Sequence, residues 1–417
     1  MKVTELGNED GVISFDIEPS LLESEKDRIS VLTKSPRPPR TRSTGVGAIA
    51  SGRYFVHESC LIEDLVAELN NHEALLAVGM VDDEGKLLGI IIRRELFNLL
   101  GRSYGGDFAH NRTVAKVARD VKRFRPDTDI FSVSESIAEE IRDTTIRHFL
   151  LEYPDGSFAG TFSTRDVLLH LSDITQKDLG TAMMIQHRIV PEKGSLEGRR
   201  LEAAASVQMA KGVGGDFYAM KRYADGKFFL CIADVSGKGM GASLITSIMG
   251  GLVHSYDFTA GFPPFIVKLN EYIHKTFDCE KYLTAIFVDI DESDGAMTIW
   301  DMGHSHLYVF RSGSLMTLRT AETGLPVGIL PAIEPEGLTV RLRPGDILLL
   351  FTDGVVEQCN HDREEYGLSK ISAILRSNHD APLGDIRDML SADINEFRGS
   401  ETQHDDISFL LARIRKV

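Results

Sequence analysis

Four cysteines, Cys60, Cys231, Cys279 and Cys359, are scattered through 417 residues with none of the close pairing that marks a zinc site. Their scarcity also argues against a disulfide scaffold and predicts a reducing, cytoplasmic setting. No apolar run approaches the ~20 residues of a membrane-spanning helix. The first residues, MKVTELGNEDG, lack the apolar centre of a signal peptide. Excess positive charge is missing too: the formal net charge of −16 excludes general nucleic-acid binding. There is no G-x-S-x-G elbow and no cysteine in a basic setting, so a side-chain nucleophile is not expected.

What is present in quantity is aspartate at the ends of apolar runs. Phe228–Ala233 reads as a buried strand closed by Asp234, followed by a turn with Gly237, Gly239 and Gly241 and then a helix carrying Leu244, Ile248 and Leu252 on one face. Ile347–Phe351 is a second such strand, closed by Thr352-Asp353-Gly354. Gln403-His404-Asp405-Asp406 opens a third, Ile407–Ile414, and Gly214-Gly215 precede Asp216. Any one of these aspartates suits a turn. Strands ending in Asp234 and Asp353, packed side by side, would bring two carboxylates within a few ångströms, an arrangement that needs a cation between them. An all-oxygen set suits Mg²⁺ or Mn²⁺. Two such ions ~3.5–4 Å apart would activate water near neutral pH and support in-line displacement at phosphorus.

Along the chain, Val12–Ile17 alternates like a short strand, and Lys34–Arg42, KSPRPPRTR, reads as a basic, Pro-rich arm able to touch an anionic partner. Residues 51–172 contain a repeat. Gly85–Leu96 matches Gly156–Val167 at an offset of 156 − 85 = 71, and the same shift pairs Ile62 with Val133 and Val66 with Ile137. Residues 173–190 continue a helix from about 166, with Leu171, Ile174, Ala182, Ile185 and Ile189 in a stripe interrupted by Asp178. That stripe is a candidate homodimer seam. From 191 to 417, many short β runs alternate with helices at Met240–Ser255, Pro264–Phe277, Leu368–Arg376 and Ile386–Phe397. Asp225-Gly226 and Asp294-Gly295 are hairpin signals. The class is α+β, a β-sandwich flanked by helices.

The repeat resembles a tandem CBS (Bateman) module. Gly160-x-x-Ser163-x-x-Asp166 looks like that family's adenine-nucleotide motif, which implies hydroxyl-to-phosphate and aspartate-to-ribose contacts. Ile92 and Glu95 stand at the matching places of the first repeat. On the residues alone, Asp166 could equally cap the following helix.

GGDFY, ADVSGKGMGASL, WDMGHSHLYVF, TGLPVGI, LLLFTDGVVE and QHDDISFLLARI, in that order, resemble the SpoIIE/RsbU-type branch of the PPM (PP2C-like) serine/threonine phosphatases from about residue 183 onward, near Gln186 and Pro191. The resemblance implies a two-ion Mn²⁺/Mg²⁺ site held by Asp216, Asp234, Asp353 and Asp405, joined by the Val235 carbonyl, with Asp406 a second candidate at the last position. It implies action on phosphoserine or phosphothreonine of a regulatory protein such as a STAS-type anti-anti-sigma factor, under control of the CBS-like half. Many members carry Asp where Ala219 stands. Lys211 and Lys238 are the nearby cations, and His304 or His306 of Gly303-His304-Ser305-His306 is a candidate acid or a structural turn residue. Two other readings are a nucleotide cyclase, from the likeness of Gly214-Gly215-Asp216-Phe217 to GGDEF, and a metal-free scaffold that binds a signalling partner. Phe217 stands where the cyclase motif needs an acid.

Overall fold

The structure, a computed structural model, describes residues 30–35, 45–103, 105–143, 145–318 and 324–415. The strand expected at 12–17 and most of the Pro-rich arm lie outside the described residues. At the arm's start, Thr33–Lys34 is an edge strand paired with Tyr54 and Phe55. The chain divides into two compact units, Met1–Thr175 and Gln176–Val417. The division falls inside one continuous helix, Thr164–Ile189. The segment 173–190, read from the sequence as continuing a helix from about 166, is the later part of this helix, which starts in the second repeat.

The first unit is built twice. The antiparallel strands Ala77–Val81 and Leu87–Ile92 recur as His148–Glu152 and Phe158–Ser163. The offset is 148 − 77 = 71 and 158 − 87 = 71. Even the register slip recurs, at Met80/Val81 and at Leu151/Glu152. Each pair gains a parallel neighbour, Tyr54–His57 in the first repeat and Arg123–Phe124 in the second. Ala77, Val81, Leu87, Ile90, Leu150 and Phe158 bury one another, so each repeat completes the other's core.

The second unit, among the described residues, has two antiparallel sheets. One runs in the order Asp216–Ala224, Lys227–Val235, Leu283–Asp291, Ala296–Met302, Leu338–Arg341. The other runs Ser314–Thr317, Leu307–Arg311, Ile347–Phe351, Ile407–Ile414, Leu201–Gln208, Lys193–Glu197. The continuous apolar runs have a physical reason. Leu348 and Leu350 point into the core between the sheets, whereas Ile347, Leu349 and Phe351 point outward under the helices Gly367–Asn378 and Leu383–Arg398. Leu410, Ala412 and Ile414 alternate in the same way with Ile407, Phe409 and Leu411. Side chains on a strand change face at every residue, so a strand covered on both faces is apolar throughout. The helices Met240–Ser255 and Phe262–Phe277 add Ala242, Ile245, Met249, Phe265 and Ile266 to the first core. This is the helix-flanked β-sandwich expected of the sequence. Lys193–Glu197, Ser314–Thr317 and the short helix Asp353–Glu357 were not foreseen.

Candidate metal centre

The strands ending at Asp234 and leading to Asp353 are not neighbours, contrary to the side-by-side packing expected. Lys227–Val235 belongs to the first sheet and Ile347–Phe351 to the second. Strand order is set by long-range pairing, which two equally apolar runs do not encode. The partner of Asp234 in its own sheet is Asp216, directly opposite on the antiparallel neighbour. Asp353 comes from the other sheet as the first residue of a short helix. Asp405 and Asp406 precede the adjacent strand of that second sheet.

Hydrogen bonds tie these pieces together. The Thr352 hydroxyl donates to Asp216 Oδ2 at 2.8 Å and accepts from the Ser408 N–H at 3.1 Å. Asp406 accepts from the N–H of Ala210 at 2.8 Å and of Gly215 at 2.7 Å. Both its oxygens are therefore engaged by backbone, and its carboxylate holds the loop ahead of Asp216. Asp405 is more open. One oxygen accepts from the Asp406 N–H, and the other meets the Lys238 ammonium at 2.7 Å. Gly354 is required by crowding, since a Cβ there would lie 2.0 Å from the Asp406 carbonyl oxygen.

The electrostatics are unfavourable without a cation. Burial, then Asp234 and Asp406, hold Asp216 well above the usual carboxylate range. Burial, then Asp353, Asp405 and Asp406, push Asp234 up to about 7, with Lys238 opposing. Among the described residues no three His, Cys, Asp or Glu side chains already converge as a metal cage. Instead Asp216, Asp405 and Asp406 are turned onto a hydroxyl, an ammonium and backbone amides. Closely set carboxylates whose charge is suppressed by burial and mutual repulsion form a donor set suited to a hard divalent ion. The residues present fit Mn²⁺ or Mg²⁺. Val235 is buried next to this cluster, and its carbonyl faces Gly215.

His304 is locked. Its Nε2 donates to the Phe351 carbonyl at 2.9 Å, which leaves Nδ1 to accept from the Thr284 hydroxyl at 2.9 Å. Burial pushes it down to about 4, so the ring is neutral near neutral pH and its one N–H is held by the Phe351 carbonyl. His306 is half-buried and stacks on Phe351 with ring centroids 4.9 Å apart. Ala219 lies three residues along the strand from Asp216, hence on the opposite face and roughly 10 Å away. Lys211 is exposed. Thr352 and Gln186 carry more of the site's construction than their place in the sequence suggested. The signal for Thr352 was a hydroxyl residue between a buried strand and an aspartate.

In the first unit, Asp166 acts as a helix cap. Its Oδ2 accepts from the Ser163 N–H at 2.7 Å and the Ser163 hydroxyl at 2.6 Å, and the Ser51 hydroxyl donates to it at 2.9 Å. A cavity of about 580 Å³ opens instead beside the first repeat, lined by Arg93, Arg94, Glu95, Arg119, Arg147 and His148 among others.

The family model for stage II sporulation protein E (SpoIIE) matches residues 224–415, from the hairpin before Asp234 to the end of the strand after Asp406. The CBS domain model matches residues 46–102, the first of the two repeats. This chain carries a SpoIIE domain and a CBS domain. The match runs through Asp234, Asp353 and Asp405 and gives no support to the cyclase reading. Phosphoserine phosphatase RsbP of Bacillus subtilis (strain 168) is similar at 23% identity over 248 residues, 58% of this chain and 59% of RsbP. Phosphoserine phosphatase RsbU of the same organism is similar at 24% over 239 residues, 56% of this chain and 70% of RsbU. The match thus spans about three fifths of the length of RsbP. Among solved structures, the SiaA-PP2C domain of Pseudomonas aeruginosa is similar at 21% identity with a TM-score of 0.49, over 58% of this chain and 98% of that one. No helix among the described residues is long and apolar enough to cross a membrane.

Proposed function

We propose that the SpoIIE domain is a metal-dependent protein serine/threonine phosphatase acting on a small phosphorylated regulatory protein, of which a STAS-type anti-anti-sigma factor is the expected kind. The observation that supports this most is the buried pairing of Asp216 with Asp234, joined by Asp353 from the opposite sheet. A Mn²⁺ or Mg²⁺ pair held by Asp216, Asp234, the Val235 carbonyl, Asp353 and Asp405 would supply activated water and charge neutralisation at phosphorus. The chain's own residues do the rest. Asp406 and Thr352 hold Asp216 in place, and Lys238, freed from Asp405, is a cation within reach of a phosphate. The same cluster weighs against a metal-free scaffold, which would gain nothing from the cost of burying these charges.

The test is hydrolysis of para-nitrophenyl phosphate and of a phosphoserine peptide, with Mn²⁺ and with EDTA, for wild type and Asp353→Asn. Activity that requires Mn²⁺ and is lost in the variant is the expected result. Activity indifferent to EDTA would sink the metal reading.

The CBS-like half is proposed as the regulatory module. Four arginines and a histidine around the 580 Å³ cavity suit a phosphate-bearing ligand such as an adenine nucleotide. The cap engagement of Ser163 and Asp166 moves that expectation to the cavity beside Ile92–Glu95. Arg119 is paired there with Glu95 at 2.9 Å and would exchange that partner for phosphate. Of the stripe expected as a homodimer seam, Leu171, Ile174 and Ile189 pack on cores of the chain itself, and Ile185 is exposed. A homodimer through the helix Thr164–Ile189 is proposed on Ile185 with the exposed Leu168, Leu169 and Met184 instead.

A further inference from the structure

The end of the helix Thr164–Ile189 holds the site through one side chain. Gln186 is almost fully buried, and its amide grips both polar groups of Gly214. Its Oε1 accepts from the Gly214 N–H at 3.1 Å, and its Nε2 donates to the Gly214 carbonyl at 2.8 Å. The remaining N–H donates to Thr246 Oγ1 at 2.9 Å, and that hydroxyl passes its own hydrogen to the Ser243 carbonyl at 2.9 Å. The direction of the amide is therefore fixed, and both of its donors are used.

The next residue continues the chain of contacts. The Gly215 N–H goes to Asp406, its carbonyl accepts from the Val235 N–H at 3.2 Å, and Asp216 follows. Gly214 leaves no slack. A Cβ there would lie 1.9 Å from Asp406 Oδ2. One turn earlier on the helix, Met183 packs against Gly212, where a Cβ would lie 2.7 Å from its sulfur.

A helix that only needed to pack on this loop would be served by leucine or methionine. Burying a primary amide costs free energy unless every donor is met, and here the partners are the backbone of the residue two before Asp216. We propose that Gln186 is a positioning residue for the metal centre, holding the Gly214-Gly215 peptides so that the Asp216 carboxylate faces Asp234. The proposal rests on the metal reading above.

The test measures Mn²⁺ binding to the full chain by titration calorimetry, alongside melting in EDTA, for wild type, Gln186→Met, Thr246→Val and the exposed-neighbour control His187→Ala. Methionine keeps the volume and removes the hydrogen bonds. Gln186→Met is expected to weaken Mn²⁺ binding about tenfold and Thr246→Val about threefold, as loss of one or two net hydrogen bonds implies. KM for a phosphoserine peptide at saturating Mn²⁺ should stay at the wild-type value, and His187→Ala should match wild type throughout. Wild-type Mn²⁺ affinity in Gln186→Met with a lowered melting temperature would assign the residue to stability alone and overturn the proposal. If Gln186→Met does not fold, Thr246→Val decides in the same way. A wild-type chain that binds no Mn²⁺ would overturn the metal reading itself, an outcome distinct from equal binding by wild type and variants.

Discussion

The hydroxyl of Thr352 donates to the carboxylate of Asp216 across 2.8 Å, joining the two sheets of the sandwich at the carboxylate cluster. Thr352 is wholly buried, and its oxygen also serves the Ser408 N–H. Thr352→Val keeps the shape and removes both hydrogen bonds. It is expected to cost about 1–3 kcal/mol of stability and to weaken Mn²⁺ binding. Denaturant unfolding in EDTA and a Mn²⁺ titration check this, and an unchanged midpoint would refute it.

Asp234→Asn removes a charge that burial and neighbouring carboxylates disfavour. The folded Asp234 titrates at about 7 against an ordinary 3.8, so the folded state binds the extra proton and metal-free stability falls as pH rises between those values. Relative to Asp234→Asn, the EDTA-treated wild type should therefore lose stability from pH 4 to 7 and level off above. The variant should melt higher than wild type at pH 8 while Mn²⁺-dependent hydrolysis falls by at least about a hundredfold, by analogy with loss of a key electrostatic group. Parallel melting curves against pH would count against it.

His304→Gln tests the locked histidine. The folded pKa near 4 lies below the ordinary 6.5, so this residue's contribution to stability is present above 6.5 and lost as pH falls towards 4. The variant should melt lower than wild type at neutral pH, and the gap should narrow in acid. The alkaline and acidic limbs of kcat against pH are expected not to move, since the one N–H of His304 is held by the Phe351 carbonyl. Loss of one limb would restore a catalytic role.

In the first unit, Asp166→Ala removes a cap and should cost about 1 kcal/mol while leaving adenine-nucleotide binding, if measured by calorimetry, at the wild-type value. Arg147→Ala, which alters the cavity wall, should abolish that binding. The reverse pattern would return the ligand to Ser163 and Asp166.

Much of this protein was legible in its sequence because the signals are local. The 71-residue repeat marked a doubled unit, and in the structure its paired strands recur at that spacing, together with a register slip after Met80 and Leu151 that no residue pattern signalled. The apolar runs Phe228–Ala233, Ile347–Phe351 and Ile407–Ile414 marked strands buried on both faces, and Asp225-Gly226 and Asp294-Gly295 marked two hairpin turns of the first sheet, with Gly226 and Gly295 at φ of 68° and 74°.

Contacts between distant residues were decided by the tertiary structure. Asp234 faces Asp353 from opposite sheets because strand order depends on pairing across the whole domain. His304 is fixed by Thr284 and by the Phe351 carbonyl, 20 and 47 residues away. Gln186 reaches Gly214 and Thr246 at separations of 28 and 60 residues. The sequence by itself determined which residues carry charge and which strands carry them. Folding determined which charges meet, because a hydrogen bond or a buried carboxylate pair is a property of two positions in space, and no pattern within one segment specifies the second.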